Sequence, residues 1–333
     1  MKNLKGKSML VLLLTIFMLC YILRNDFFDV LNIIKTANLL WIIIAIVIYY
    51  FGIFIETISL KLIINEYNKN YSLLDTFKLN IITKFFNGIT PLASGGQPFQ
   101  IYKLHADKIK ISDATSIVIG NYLLYQIALI LLSIVCYIIN LIFKIVSFSP
   151  IIMFLFWIGF AFNFIIFLFT YIIGSSKIIS KRTSSIIASI LGKLRIIRNI
   201  QKVTSNLENT WYELYNSFKF LKNNKIIIIK GFILYFVGIC ITFTTVLFVF
   251  NALNLGNNIN LIECIVTSSF VFISGSFIPI PGGTGGVEYV FFELFGYFIV
   301  GASLKSILLI WRFVTFIVPI LFGGILFNLQ KNT

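Results

Sequence analysis

Histidine occurs once, cysteine four times and acidic residues twelve times in 333 residues. Each scarcity removes a class of function. His105 sits alone in a basic stretch and reads as a solvated side chain, so neither a Ser/His/Asp relay nor a histidine metal site can be assembled around it. Cys20, Cys136, Cys240 and Cys264 all lie inside apolar runs without a CxxC pair, which reads as small packing residues. No paired carboxylates emerge. The expectation is no catalytic residue, no metal and no cofactor.

The shortage of acid leaves a formal net charge of +15. In a soluble chain that would point to nucleic acid. Here 59% of residues are hydrophobic and mean hydropathy is +0.96, so cytoplasmic loops rich in Lys and Arg account for the charge and no nucleic-acid partner is expected. Candidate full spans are 8–23, 39–64, 113–143, 150–173, 226–250 and 304–328. Two more segments, 74–110 and 260–301, are apolar hairpins interrupted by Gly and Pro. The predicted fold is an all-α polytopic membrane protein with about six full spans and two re-entrant hairpins, unless the hairpin arms count as spans themselves.

Lysine and arginine set the orientation. Lys2, Lys5 and Lys7 place the N-terminus inside, and Lys-rich 61–84 and 103–110 follow it. The segment 174–225 carries ten basic residues, from Lys177 to Lys225, against Glu208 and Glu213, so it is cytoplasmic. Ile186, Ile187, Ile190, Leu191, Leu194 and Ile197 recur there at helical spacing. Two readings stand: an amphipathic helix on an anionic membrane surface, or a connector whose charge fixes topology. The predicted organisation is a first half (1–173), this linker, and a second half (226–333), with both termini cytoplasmic.

The interruptions share a pattern. Pro91-Leu-Ala-Ser94-Gly95-Gly96 and Pro281-Gly-Gly-Thr284-Gly285-Gly286 both read P-x-x-[ST]-G-G. Each lies between apolar arms, preceded and followed by a full span. The parity of the spans makes the copies enter from opposite faces, as an inverted repeat requires, and transporters of that kind bind substrate between their broken helices. Glycine allows close approach to backbone N–H groups, and a helix is expected just after each pair, opened in the first copy by Pro98 and a Ser94–Gln97 capping box. The resulting N-termini would suit an anion, which makes Ser94, Gly95, Gly96, Thr284, Gly285 and Gly286 candidate phosphate ligands. The alternative is that the breaks only permit tight hairpins. A P-loop is excluded, since no Gly-Lys-[Ser/Thr] follows either copy.

Glu56, Glu263, Glu288, Glu293 and Arg312 fall within apolar segments. A charge at a helix centre costs about 2.5–3.5 kcal/mol on insertion scales, so these face a cavity or one another. Arg312 either holds a lipid phosphate or is neutralised by Glu288 or Glu293. Glu56, Glu288 and Glu293 are the candidate charge-balancing residues. Lys84 and Asn87, just before the first break, either meet a headgroup or, for Lys84, snorkel to the surface.

The stretches TPLASGGQPFQIYKL and PIPGGTGGVEYVFFEL, their order and the basic linker resemble the membrane region of bacterial lysylphosphatidylglycerol synthases, the multiple peptide resistance factors, over about 8–328. The resemblance implies a flippase domain in a bacterial plasma membrane, moving an anionic or aminoacylated phospholipid. Relatives that make the lipid carry a further cytosolic domain that uses aminoacyl-tRNA. Here NLQKNT follows the last span and the largest polar segment is about 50 residues, short of a typical domain. Lysyl transfer is therefore expected only with a separate catalytic partner or with the basic linker recruiting tRNA, and self-association is the other open assembly.

Overall fold

The computed structural model describes residues 26–175 and 224–331, with isolated positions between 186 and 219. The expected first span (8–23) and most of the linker (174–225) lie outside the described residues. Among the described residues there is helix and no strand. Five helices are long and apolar enough to cross a membrane: Leu39–Tyr67, Ile111–Phe143, Pro150–Ile172, Lys225–Ala252 and Gly301–Gln330. They coincide with the five expected spans in this range. At 1.5 Å per residue the first would be about 43 Å long, beyond the ~30 Å hydrocarbon core.

In chain order, a short α1 (Phe27–Lys35) precedes α2 (Leu39–Tyr67), α3 (Leu73–Gly88), a one-turn break at Pro91–Ala93, α4 (Gly96–Ala106), α5 (Ile111–Phe143) and α6 (Pro150–Ser175). The second half runs α7 (Lys225–Phe243), α8 (Thr245–Ala252), α9 (Leu261–Gly275), a break at Pro281–Gly283, α10 (Gly286–Phe295), α11 (Gly301–Arg312), a π-helical turn at Phe313–Ile317 and α12 (Val318–Lys331). Helix starts are marked by polar side chains. Asn38 Oδ1 accepts from Leu40 N–H at 3.0 Å, Ser72 Oγ from Asp75 N–H at 3.0 Å, and Asn260 and Glu263 cap each other's N–H groups. Glu263 thus spends its carboxylate on the start of α9.

The arms around the breaks, of 16, 11, 15 and 10 residues, would each be about 15–24 Å long, short for a crossing. Within each hairpin the arms pack on one another, α3 on α4 and α9 on α10. The span that follows each hairpin lies on the first arm of the other: α5 packs on α9, and α12 packs on α3. The spans that precede the breaks, α2 and α7, pack together, and the breaks themselves touch.

Small residues let α2 and α7 approach. A Cβ built on Gly238 would lie 3.0 Å from the Gly52 carbonyl oxygen and 2.9 Å from Glu56 Cγ. Lipid tails are as apolar as leucine, so such fitting and interhelical hydrogen bonds supply the association. Tyr235 donates to Asn121 Oδ1 at 2.8 Å, Gln126 Nε2 to Asn163 Oδ1 at 2.9 Å, and Asn163 Nδ2 to Ser276 Oγ at 2.6 Å. The last bond ties α6 to the chain entering the second break.

Gly238→Ala should therefore lower the thermal midpoint in detergent, through an overpacking cost of about 1–3 kcal/mol. Gly324→Ala, whose Cβ would meet Phe85 at an ordinary 3.4 Å, should leave it nearly unchanged. Equal losses would refute the close crossing.

Candidate functional site

Through the turn that follows each proline, the breaks are built alike. Thr90 and Ile280 are extended, as a residue before proline must be (φ −121° and −106°). The two residues after each proline are left-handed: Leu92 (φ 52°) and Ala93 (φ 50°) in the first, Gly282 (φ 68°) and Gly283 (φ 63°) in the second. The hydroxyl then turns back, with Ser94 Oγ donating to the Pro91 carbonyl at 2.9 Å and Thr284 Oγ1 to the Pro281 carbonyl at 3.0 Å. New helices start at Gly96 and Gly286. The Leu-Ala pair hides half of this likeness in the sequence.

The glycine pairs serve different purposes. Gly285 has φ 94°, a conformation that favours glycine. Gly95 (φ −85°) does not need that freedom; it needs room, because a Cβ would lie 2.6 Å from Thr90 Cγ2 and 3.0 Å from the Phe86 carbonyl. A Cβ on Gly96 would run into Asn87 and Thr83, whereas one on Gly286 would meet only the tip of Ile278.

The N–H groups of Gly95, Gly96 and Gly285 are already occupied. Gly95 donates to Thr90 Oγ1 at 2.9 Å, Gly96 to Asn87 Oδ1 at 2.8 Å and Gly285 to Glu288 Oε2 at 2.6 Å. Asn87, expected at a headgroup, here caps α4 together with Thr90. The expected Ser94–Gln97 box is not formed, because the helix starts at Gly96 with Gly95, not Ser94, at the N-cap.

Arg312 closes α11 directly before the π turn, and Pro319, which lacks an N–H, follows that turn. Its residue is 5% exposed. Nη2 lies 2.8 Å from Glu288 Oε1, and Nη1 donates to the Gly282 carbonyl at 3.2 Å. The Nη2 contact is an ion pair whose angle falls short of a hydrogen bond, and Nε has no partner. The guanidinium also lies 5.4 Å from the ring centroids of Trp311 and Phe316. Both partners of this pair are buried, so removing either strands the other.

A second ion pair between helices is Lys84 Nζ with Glu56 Oε2 at 2.8 Å, the carboxylate being the more buried. Lys84 thus reaches from α3 to α2. Glu293 lies on the exposed side of α10, apart from Arg312. The structure gathers Ser94, Gly95, Gly96, Thr284, Gly285, Gly286, Glu288 and Arg312 onto two touching breaks; Glu56 and Lys84 form a separate pair on α2 and α3. Thr90 and the π turn went unrecognised in the sequence, although a Thr one residue before the proline is a plain signal.

A polar cleft of about 430 Å³ lies elsewhere, among the basic loops, lined by Tyr71, Ser72, Asp75, Lys103, Asp107 and neighbours. Its main charges are spent internally: Asp107 accepts from Lys103 at 2.7 Å and from Tyr71 at 2.9 Å.

The left-handed turns yield a contrast. Ala93→Gly relieves about 1–2 kcal/mol of strain and restores about 0.5–1 of chain entropy, so it should not lower the thermal midpoint. Gly282→Ala adds that strain and drives a Cβ into the Phe316 ring, so it should lower the midpoint clearly. A loss with Ala93→Gly would refute the turn geometry.

Among curated proteins none matches the chain. The family model described as "Lysylphosphatidylglycerol synthase TM region" matches residues 8–323. With nearly the whole chain covered, including both breaks, the protein belongs to the family of lysylphosphatidylglycerol synthase transmembrane regions.

Proposed function

We propose that this chain is a flippase that moves an anionic or aminoacylated phospholipid, such as lysylphosphatidylglycerol, between leaflets. The observation that carries the reading is the meeting of two backbone breaks that share the same proline turn beside a buried Arg312–Glu288 pair. Non-helical backbone at membrane depth is tolerated only where it is buried in protein or lines a wet cavity. Pro91, Leu92, Ala93 and Ser94 are all exposed, which favours a polar passage at that point.

The halves form an inverted repeat in this reading. Its support is the exchange of partners between them: α5 on α9 mirrors α12 on α3, while the self-equivalent pairs α2–α7 and break–break touch directly. The hydroxyls of Ser94 and Thr284, the glycine N–H groups and Arg312 receive the phosphate once Thr90, Asn87 and Glu288 release them. Lys84 and Asn87 serve the headgroup, and Glu56 balances charge; Glu293 is too exposed to share in it. The basic linker lies on the anionic inner surface, with both termini cytoplasmic in a bacterial plasma membrane.

The test is reconstitution into vesicles carrying a fluorescent phosphatidylglycerol, with dithionite added outside. Wild-type protein should let the reductant bleach beyond the outer leaflet's half. Arg312→Gln should slow this at least tenfold, while Arg312→Lys keeps part of the rate, since the charge survives without the planar fork. Gly286→Ala, the best tolerated of the four glycine changes, should slow movement while the protein stays folded. Bleaching no faster than in empty vesicles overturns the reading; formation of lysyl-lipid from lysyl-tRNA and phosphatidylglycerol would add an enzyme to it.

A further inference from the structure

We propose that Glu288 is a built-in occupant of an anion site at the second break, and that a phosphate group enters by displacing its carboxylate. The inference rests on the transport reading only for the ligand's destination; the site stands on its own geometry.

One carboxylate oxygen takes the Gly285 N–H at 2.6 Å, at the start of the ten-residue α10, where the helix dipole is positive. The other faces Arg312 at 2.8 Å. The carboxylate thus bridges two groups that both select an anion, an exposed-N–H helix start and a guanidinium. Arg312 is 5% exposed, yet its Nε has no partner and its Nη2 lacks an aligned hydrogen bond. An arginine fork is complementary to two oxygens of one ligand, which this divided carboxylate does not supply. A phosphate has oxygens enough for Gly285, Nη2 and Nε together, with Thr284 Oγ1 adjacent on the chain.

Glu288 is in the first turn of its own helix and folds back on that turn. Because it is itself buried against Arg312, its carboxylate leaves only as a phosphate takes over both the Gly285 N–H and the guanidinium. The first break differs. There the glycine N–H groups are capped by neutral Thr90 and Asn87, and no buried arginine faces them among the described residues. Only the second break therefore holds an anion in place. Its glycines are half-buried, and the exposed first break lies against it, which gives an incoming phosphate an approach.

The experiment follows the thermal midpoint of detergent-purified protein against sodium phosphate and, separately, dihexanoyl phosphatidylglycerol, at constant ionic strength made up with chloride. Glu288→Gln removes the resident charge and leaves Arg312 buried without a counter-ion. Its midpoint should rise with phosphate at a concentration at least tenfold lower than wild type requires, because a ligand bound to the folded state stabilises it in proportion to its occupancy. Arg312→Gln should show no response. Glu288→Asp, which keeps the charge but shortens the bridge, should fall between, and serves if the Gln variant does not fold. A response to phosphate alone identifies a soluble anion, and a response to the lipid alone a headgroup; either supports the exchange. Equal responses in wild type and both Glu288 variants overturn it. The readout is binding, so a protein that shows the exchange but moves no lipid refutes transport alone, and one that moves lipid with flat responses refutes the exchange alone.

Discussion

Hydrocarbon offers a backbone no hydrogen-bond partner, and this constraint governs the molecule. A helix satisfies its own N–H and C=O groups, so long apolar helices need nothing else. Each break creates groups that must be satisfied from nearby side chains. Thr90 and Asn87 do so in the first hairpin, Glu288 in the second, and Ser94 and Thr284 turn back on the proline carbonyls. The breaks meet, so the irregular backbone of both halves is confined to one region. The packing of α12 on α3 and of α5 on α9 follows from bringing them there.

The charges obey the same constraint. Glu56 with Lys84 and Glu288 with Arg312 are local pairs, each joining a helix to its neighbour in the fold. Stability alone does not account for them, since buried pairs are often no better than well-packed apolar residues. The Arg312 pair is also incompletely hydrogen-bonded and sits beside a π turn, a deviation that frequently marks functional positions.

Much of this was legible in the sequence. Apolar run length located the five described spans, and P-x-x-[ST]-G-G located both breaks and the helix starts after them. The Ser94 cap was misread because the left-handed turn after Pro91 delays the helix by one residue and puts Gly95 at the N-cap. The choice between Glu288 and Glu293 was open to a simple argument: five residues apart, they project about 140° from each other on a helix, so both could not face Arg312. Glu263 carried its own signal, three residues after Asn260, the spacing of a capping box. What the sequence did not carry was tertiary: that Lys84 reaches Glu56, that Phe316 covers Gly282, and that the two breaks touch.

The central claim is that lipid passes where the breaks meet. It is tested most directly by cysteine pairs placed across Pro91–Ala93 and Pro281–Gly283, such as Leu92→Cys with Pro281→Cys, in a background without the native cysteines. Oxidation in reconstituted vesicles should cross-link the halves and stop lipid movement, and reductant should restore it. Failure of every pair to cross-link, or undiminished movement in the cross-linked protein, would contradict the account.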